Sequence, residues 1–83
     1  KNALFKKVYS IVNIATLESN FDNGAVVNAE VLREKGIISK IEEYGLKVLG
    51  DGELTKSLTV QAKKFTESAA KKITEAGGKV EVL

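Results

Sequence analysis

A chain of 83 residues with 43% apolar side chains, no Cys and no His sits near the lower end of what one apolar core can hold without staples. The missing residue types exclude disulfides, Cys/His zinc clusters, thiol or imidazole nucleophiles and imidazole acid–base chemistry. No apolar run approaches the roughly 20 residues that span a bilayer, so the chain reads as a soluble domain. The net charge of +2, from 13 basic and 11 acidic side chains, does not by itself call for a polyanionic partner. The charges are unevenly placed, however. Acids gather between Glu18 and Glu53, whereas nine Lys lie in the flanking thirds.

In chain order, Lys1-Asn2 opens without Met or a signal-like apolar stretch, which suggests a piece of a longer protein. Tyr9 to Ile14 is rich in β-branched and aromatic residues and predicts a strand. A helical turn follows, with Leu17 and Phe21 one turn apart and Asp22-Asn23-Gly24 closing it. The next helix has Asn28 as N-cap, Glu30 in the first turn and Gly36 at C′, with Val27 and Leu32 placed as a hydrophobic staple.

The second half repeats this grammar. Leu46 to Leu49 and Leu58 to Ala62 predict short strands on either side of a glycine-rich segment. Thr66 caps a helix running to about Ala76 and ended by Gly77-Gly78, with Ala69, Ile73 and Ala76 on one narrow apolar face. Lys71 and Lys72 then point away from that face, and Glu67 stands four residues before Lys71 as a modest ion pair. Lys79 to Leu83 alternates as a last strand. Strand, helix, strand, strand, helix, strand is an α/β order in which some strand pairs are parallel.

The segment Gly45-Leu-Lys-Val-Leu-Gly50-Asp-Gly52 has the glycine spacing of a nucleotide-binding phosphate loop. Asp51 stands at the Lys position and Gly52 at the hydroxyl position, and a carboxylate aimed at phosphate repels it, so nucleotide binding is rejected. Gly50 and Gly52 around one Asp instead predict a turn that needs positive φ or close backbone approach.

Lys47-Val48-Leu49-Gly50-x-Gly52-x-Leu54, Leu58-x-Val60 and Phe65-Thr66-x-x-Ala69-x-x-x-Ile73-x-x-x-Gly77 form one long motif. Together with Tyr9 to Ile14, Phe21 to Gly24 and Val31 to Ile38, it resembles the C-terminal globular domain of the fifteenth protein of the bacterial large ribosomal subunit. The resemblance implies one domain over residues 1–83, folded as an irregular superhelix of β-β-α turns with short strands and two to three helices. It also implies a structural constituent of the large subunit that binds large-subunit ribosomal RNA, meets neighbouring ribosomal proteins and supports assembly. No catalytic step, cofactor, metal, membrane or small-molecule substrate is implied, and the location is the cytoplasmic ribosome or, alternatively, an organellar one. The family's long basic N-terminal extension has no counterpart here, so its RNA contacts transfer to no residue of this chain.

Scattered lysines ordinarily make a solvated face. The resemblance turns that reading toward RNA, with Lys6 and Lys7 beside the missing extension and Lys63, Lys64, Lys71 and Lys72 around the last helix. Lys63 and Lys64 directly precede the Thr66 cap, where helix N–H donors add to their charge. Arg33 is expected in an intrahelical ion pair. Among aromatics, Phe21 and Phe65 read as core or staple residues and Tyr44 as exposed. Two rival readings stay open: acid–base chemistry by Glu42, Glu43, Asp51 and Glu53, against which an exposed acidic loop is the simpler account, and a protein-interaction adaptor without RNA binding.

Overall fold

The computed structural model describes residues 8–83. Six strands and three helices follow one another along them: β1 (Ser10–Asn13), α1 (Ile14–Asn20), β2 (Val26–Val27), α2 (Ala29–Glu34), β3 (Leu46–Leu49), β4 (Thr59–Ala62), β5 (Lys64–Phe65), α3 (Glu67–Glu75) and β6 (Lys79–Val82). Odd-numbered strands form one sheet, β1-β3-β5, and even-numbered strands the other, β2-β4-β6. All four pairings are parallel. The chain therefore winds as a superhelix, laying one strand in each sheet per turn, and the α/β expectation holds in this form.

The inner faces carry the rows Val12–Val48–Phe65 and Val27–Val60–Val80. Val12, Val48, Val27 and Val60 are buried, and Phe65 and Val80 pack against them at the edges. β-branched side chains suit such a pleated surface. Ile14, Leu17, Leu32, Leu46, Leu58 and Ile73 complete one continuous core, and burying each contributes about 1.5–3 kcal/mol.

The helices start and stop where their capping chemistry lies. Asn28 Oδ1 accepts from Val31 N–H at 2.9 Å and Thr66 Oγ1 accepts from Ala69 N–H at 3.2 Å. Gly36 and Gly77 have positive φ directly after the C-caps of α2 and α3, and Gly24 has positive φ in the turn between α1 and β2. Val27 and Leu32 are both fully buried, as a staple requires. α1 differs, since its N-cap Asn13 makes no side-chain capping bond.

Several expectations need correction. Ile14 begins α1 instead of ending β1, and β4 begins at Thr59 instead of Leu58. The two-residue strands β2 and β5 were not expected, because nothing local marks them and only a neighbouring strand makes them. The strands on either side of the glycine segment, β3 and β4, stand there as expected and lie in different sheets. Neither the Glu67–Lys71 pair nor an Arg33 pair forms: among the described residues the one ion pair is Lys40 Nζ to Glu42 Oε1 at 3.7 Å. Exposed pairs on short helices return too little Coulomb energy to hold two long side chains in place.

Candidate nucleic-acid interface

The Gly50–Gly52 segment organises the side of the molecule on which α3 starts. Gly52 has φ +105°, and a Cβ there would collide with Ala15, its backbone nitrogen only 2.7 Å away. A Cβ on Gly50 would collide with Ser68 Oγ and lie 2.8 Å from Ala69 N. The segment is thus wedged between α1 and α3, which answers the glycine spacing by close approach at both positions. Its carbonyls are engaged too: Ala15 N–H donates to Asp51 O at 2.9 Å, and Lys72 Nζ donates to Gly50 O and Gly52 O, each at 2.6 Å.

Lys72 consequently does not point away into solvent. Its half-buried ammonium clasps the loop to α3 by supplying donors to two carbonyls of a segment that lies outside any helix or strand, and bonds from a charged donor are the strong kind. Lys56 plays the same part elsewhere, donating to Glu18 O and Phe21 O at 2.7 Å each and closing the C-terminal end of α1. In that region the Glu18 carboxylate accepts from Thr55 N–H at 2.9 Å and Thr55 Oγ1 at 2.7 Å. The Thr55 backbone bond, then its hydroxyl bond and the Lys56 charge, hold the Glu18 pKa below the usual glutamate range.

The other named lysines fare differently. Lys6 and Lys7 lie outside the described residues. Lys63, Lys64 and Lys71 are exposed. Lys63 turns the corner between β4 and β5 with its stem over Gly45, 3.4 Å from Lys63 Cβ to where a Gly45 Cβ would stand. It borders a groove of about 250 Å³ whose walls include Ile41, Leu46, Ala62 and Leu83. Lys64 belongs to the outer face of the first sheet. Lys63 and Lys64 therefore reach different surfaces, although adjacent in sequence. The open amide cradle expected at the start of α3 is also not there: Thr66 Oγ1 takes the Ala69 N–H, and Gly50 packs over Ser68 and Ala69.

What sequence reasoning missed is Lys47. In the parallel register Ile11, Lys47 and Lys64 stand in one outward row across β1, β3 and β5. Lys47 Nζ lies 5.6 Å from the centroid of the Tyr9 ring, and Tyr9 meets Tyr44 edge to face with centroids 5.5 Å apart and planes at 64°. The alternation within Leu46–Leu49 carried a hint, since Lys47 falls between two inward apolar residues; its companions become known only with the strand pairing.

The acids gather into no site. Asp51, Glu53 and Glu43 are exposed, and Glu42 is paired to Lys40 with its N–H bonded to Ser10 Oγ at 2.8 Å. No cluster of His, Cys, Asp or Glu able to hold a metal ion occurs among the described residues.

This geometry defines a small parallel-sheet α/β module with an outward basic and aromatic sheet face and a lysine-clasped glycine loop. A family model described as the ribosomal proteins 50S-L15 and 50S-L18e, together with their 60S counterpart, matches residues 11–81, and the chain belongs to that family. It is 58% identical over 78 residues to large ribosomal subunit protein uL15 of Fervidobacterium nodosum, covering 94% of this chain and 52% of that protein. It is 51% identical over 81 residues to large ribosomal subunit protein uL15 of Syntrophotalea carbinolica, covering 98% of this chain and 54% of that one. The chain spans about half the length of these curated relatives. The family is one of ribosomal proteins, not of enzymes.

Proposed function

We propose that this chain is a structural constituent of the large ribosomal subunit, held on large-subunit ribosomal RNA and supporting subunit assembly in the cytoplasmic ribosome. The observation that carries the reading is the identity of 58% and 51% to two large-subunit proteins over nearly the whole chain. The RNA contacts are assigned to Lys63, Lys64 and Lys71, with Lys6 and Lys7 from the segment ahead of β1. Lys72 is removed from the contact set because its ammonium is committed to the Gly50 and Gly52 carbonyls. A neighbouring ribosomal protein is the second partner, and the apolar walls of the groove beside Lys63 favour that contact.

The test is affinity for large-subunit ribosomal RNA at several salt concentrations. Lys63→Glu, Lys64→Glu and Lys71→Glu together should weaken binding strongly without unfolding the chain, and each lost phosphate contact should flatten the log–log salt slope by roughly 0.7–0.9. Glu42→Lys, Glu43→Lys and Glu53→Lys should leave binding unchanged or slightly improved. Equal affinity of the triple variant and the parent, both folded, would move the RNA contact elsewhere. Capture of neighbouring proteins that survives nuclease treatment would establish the protein contact separately.

A further inference from the structure

We propose that the outer face of the β1-β3-β5 sheet takes an unpaired RNA segment, its bases stacking on Tyr9 and Tyr44 and its phosphates meeting Lys47 and Lys64. The inference rests on the RNA-binding reading and adds to it a surface and a conformation of the nucleic acid. Three features of the face lead there. The two rings are already ordered against each other and against Lys47. Lys47 and Lys64 are register partners on neighbouring strands, so two cations stand one strand apart on one side of the sheet. Ile11 is 54% exposed in the same row and Tyr44 38% exposed at its margin, so apolar and aromatic area faces outward together with the charge.

The occupant follows from that mixture. An apolar protein surface laid on this face would bury two lysines without counter-ions, which is costly. A nucleic-acid strand supplies both halves, phosphates for the lysines and flat apolar bases for the rings and Ile11. It must be unpaired, because a duplex hides its base faces in its own stack and offers a sheet only backbone, 2′-hydroxyls and base edges, none of which stacks on a ring. Among the described residues, Glu42 at the rim of β1 is the one acid lining this side, and it is paired with Lys40 at 3.7 Å. Lys64 also joins this face to the contact set assigned above.

The chain carries two Tyr and no Trp, so its intrinsic emission reports on this face alone. Oligoadenylate of about ten nucleotides, titrated into the 83-residue chain, should quench tyrosine emission saturably; an RNA hairpin duplex of matched absorbance should not. Tyr9→Ala and Tyr44→Ala should each lower oligoadenylate affinity roughly tenfold, with Tyr44→Phe close to the parent. Lys47→Gln and Lys64→Gln should each flatten the salt slope by roughly 0.7. Should an alanine variant fail to fold, quenching of the parent and the two glutamine variants still decide the matter. Unquenched emission, with the tyrosine variants binding ribosomal RNA as the parent does, would overturn this proposal, leave the face to a protein partner and spare the ribosomal RNA reading. Failure of the parent to bind any RNA would overturn both.

Discussion

The two sheets are alike inside and unlike outside. Inside, each presents a row of valines closed by one partly buried residue, Phe65 or Val80. Outside, one row of the second sheet pairs its own polar groups, Asn28 Nδ2 donating to Gln61 Oε1 at 3.2 Å and Gln61 Nε2 to Glu81 Oε1 at 2.9 Å, while the neighbouring row Val26–Thr59–Lys79 leaves Lys79 exposed. Gln61 and Glu81 are register partners, so the ladder is built by the strand pairing itself. The first sheet carries Ile11, Lys47 and Lys64 in the corresponding position, with the tyrosine pair beside them. A row whose donors and acceptors are matched within the chain has little to offer a partner, whereas one with cations and aromatic area turned outward does. The same contrast separates the lysines. Lys56 and Lys72 hold main-chain carbonyls, and Lys63, Lys64 and Lys71 extend into solvent.

The largest expected effect tests the shared interior. Leu46→Ala under the first sheet and Leu58→Ala at the start of the second should each cost about 2–5 kcal/mol. In a domain of this size each kcal/mol moves Tm by about 4–8 °C. Because the core is continuous, both variants should lower one common cooperative transition. Two transitions, each moved by only one of the substitutions, would show that the sheets are separate units.

A smaller effect separates the two kinds of lysine. Lys72→Ala removes both bonds that hold the Gly50–Gly52 loop and should destabilise by about 1–3 kcal/mol. Lys64→Ala should change stability by no more than about 0.5 kcal/mol. Thermal melts of equal midpoint for the two variants would refute the clasp.

Much of the fold was legible locally. Asn28 and Thr66 as caps and glycines past the helix ends are decided within a few residues, and each stands where the sequence predicts it. The distribution of consecutive strands between two sheets was not legible, because pairings such as Ser10 with Leu46 and Thr59 with Lys79 are chosen by the whole core. The two-residue strands depend on those pairings. The candidate site was the less readable part for the same reason. A lysine's fate depends on where its ammonium ends, and for Lys72 that is a pair of carbonyls 22 and 20 residues earlier in the chain. Lys47 joins Lys64 only through the β3–β5 register.

The smallest expected effect is electrostatic and belongs to the Lys56 side of the comparison. The Glu18 pKa is depressed in the folded chain, so the unfolded state binds more protons there as the pH falls. Its contribution is present above the ordinary glutamate range and is lost as the pH drops through the lowered value. Tm of the parent should therefore fall across that acid window more than Tm of Glu18→Gln, the two curves converging at low pH. Parallel curves would remove Glu18 from the tether to Thr55.

Lysine acylation of the folded chain, read residue by residue by mass spectrometry with and without large-subunit ribosomal RNA, tests the account most directly. Lys56 and Lys72 should react slowly in both states, because their amines are held by carbonyls. Lys47, Lys63, Lys64 and Lys71 should react in the free chain and be protected by RNA, whereas Lys79, on the outer edge of the second sheet, should react equally in both. Protection of Lys79 with Lys47 and Lys64 left reactive would place the RNA on the opposite face and contradict the account.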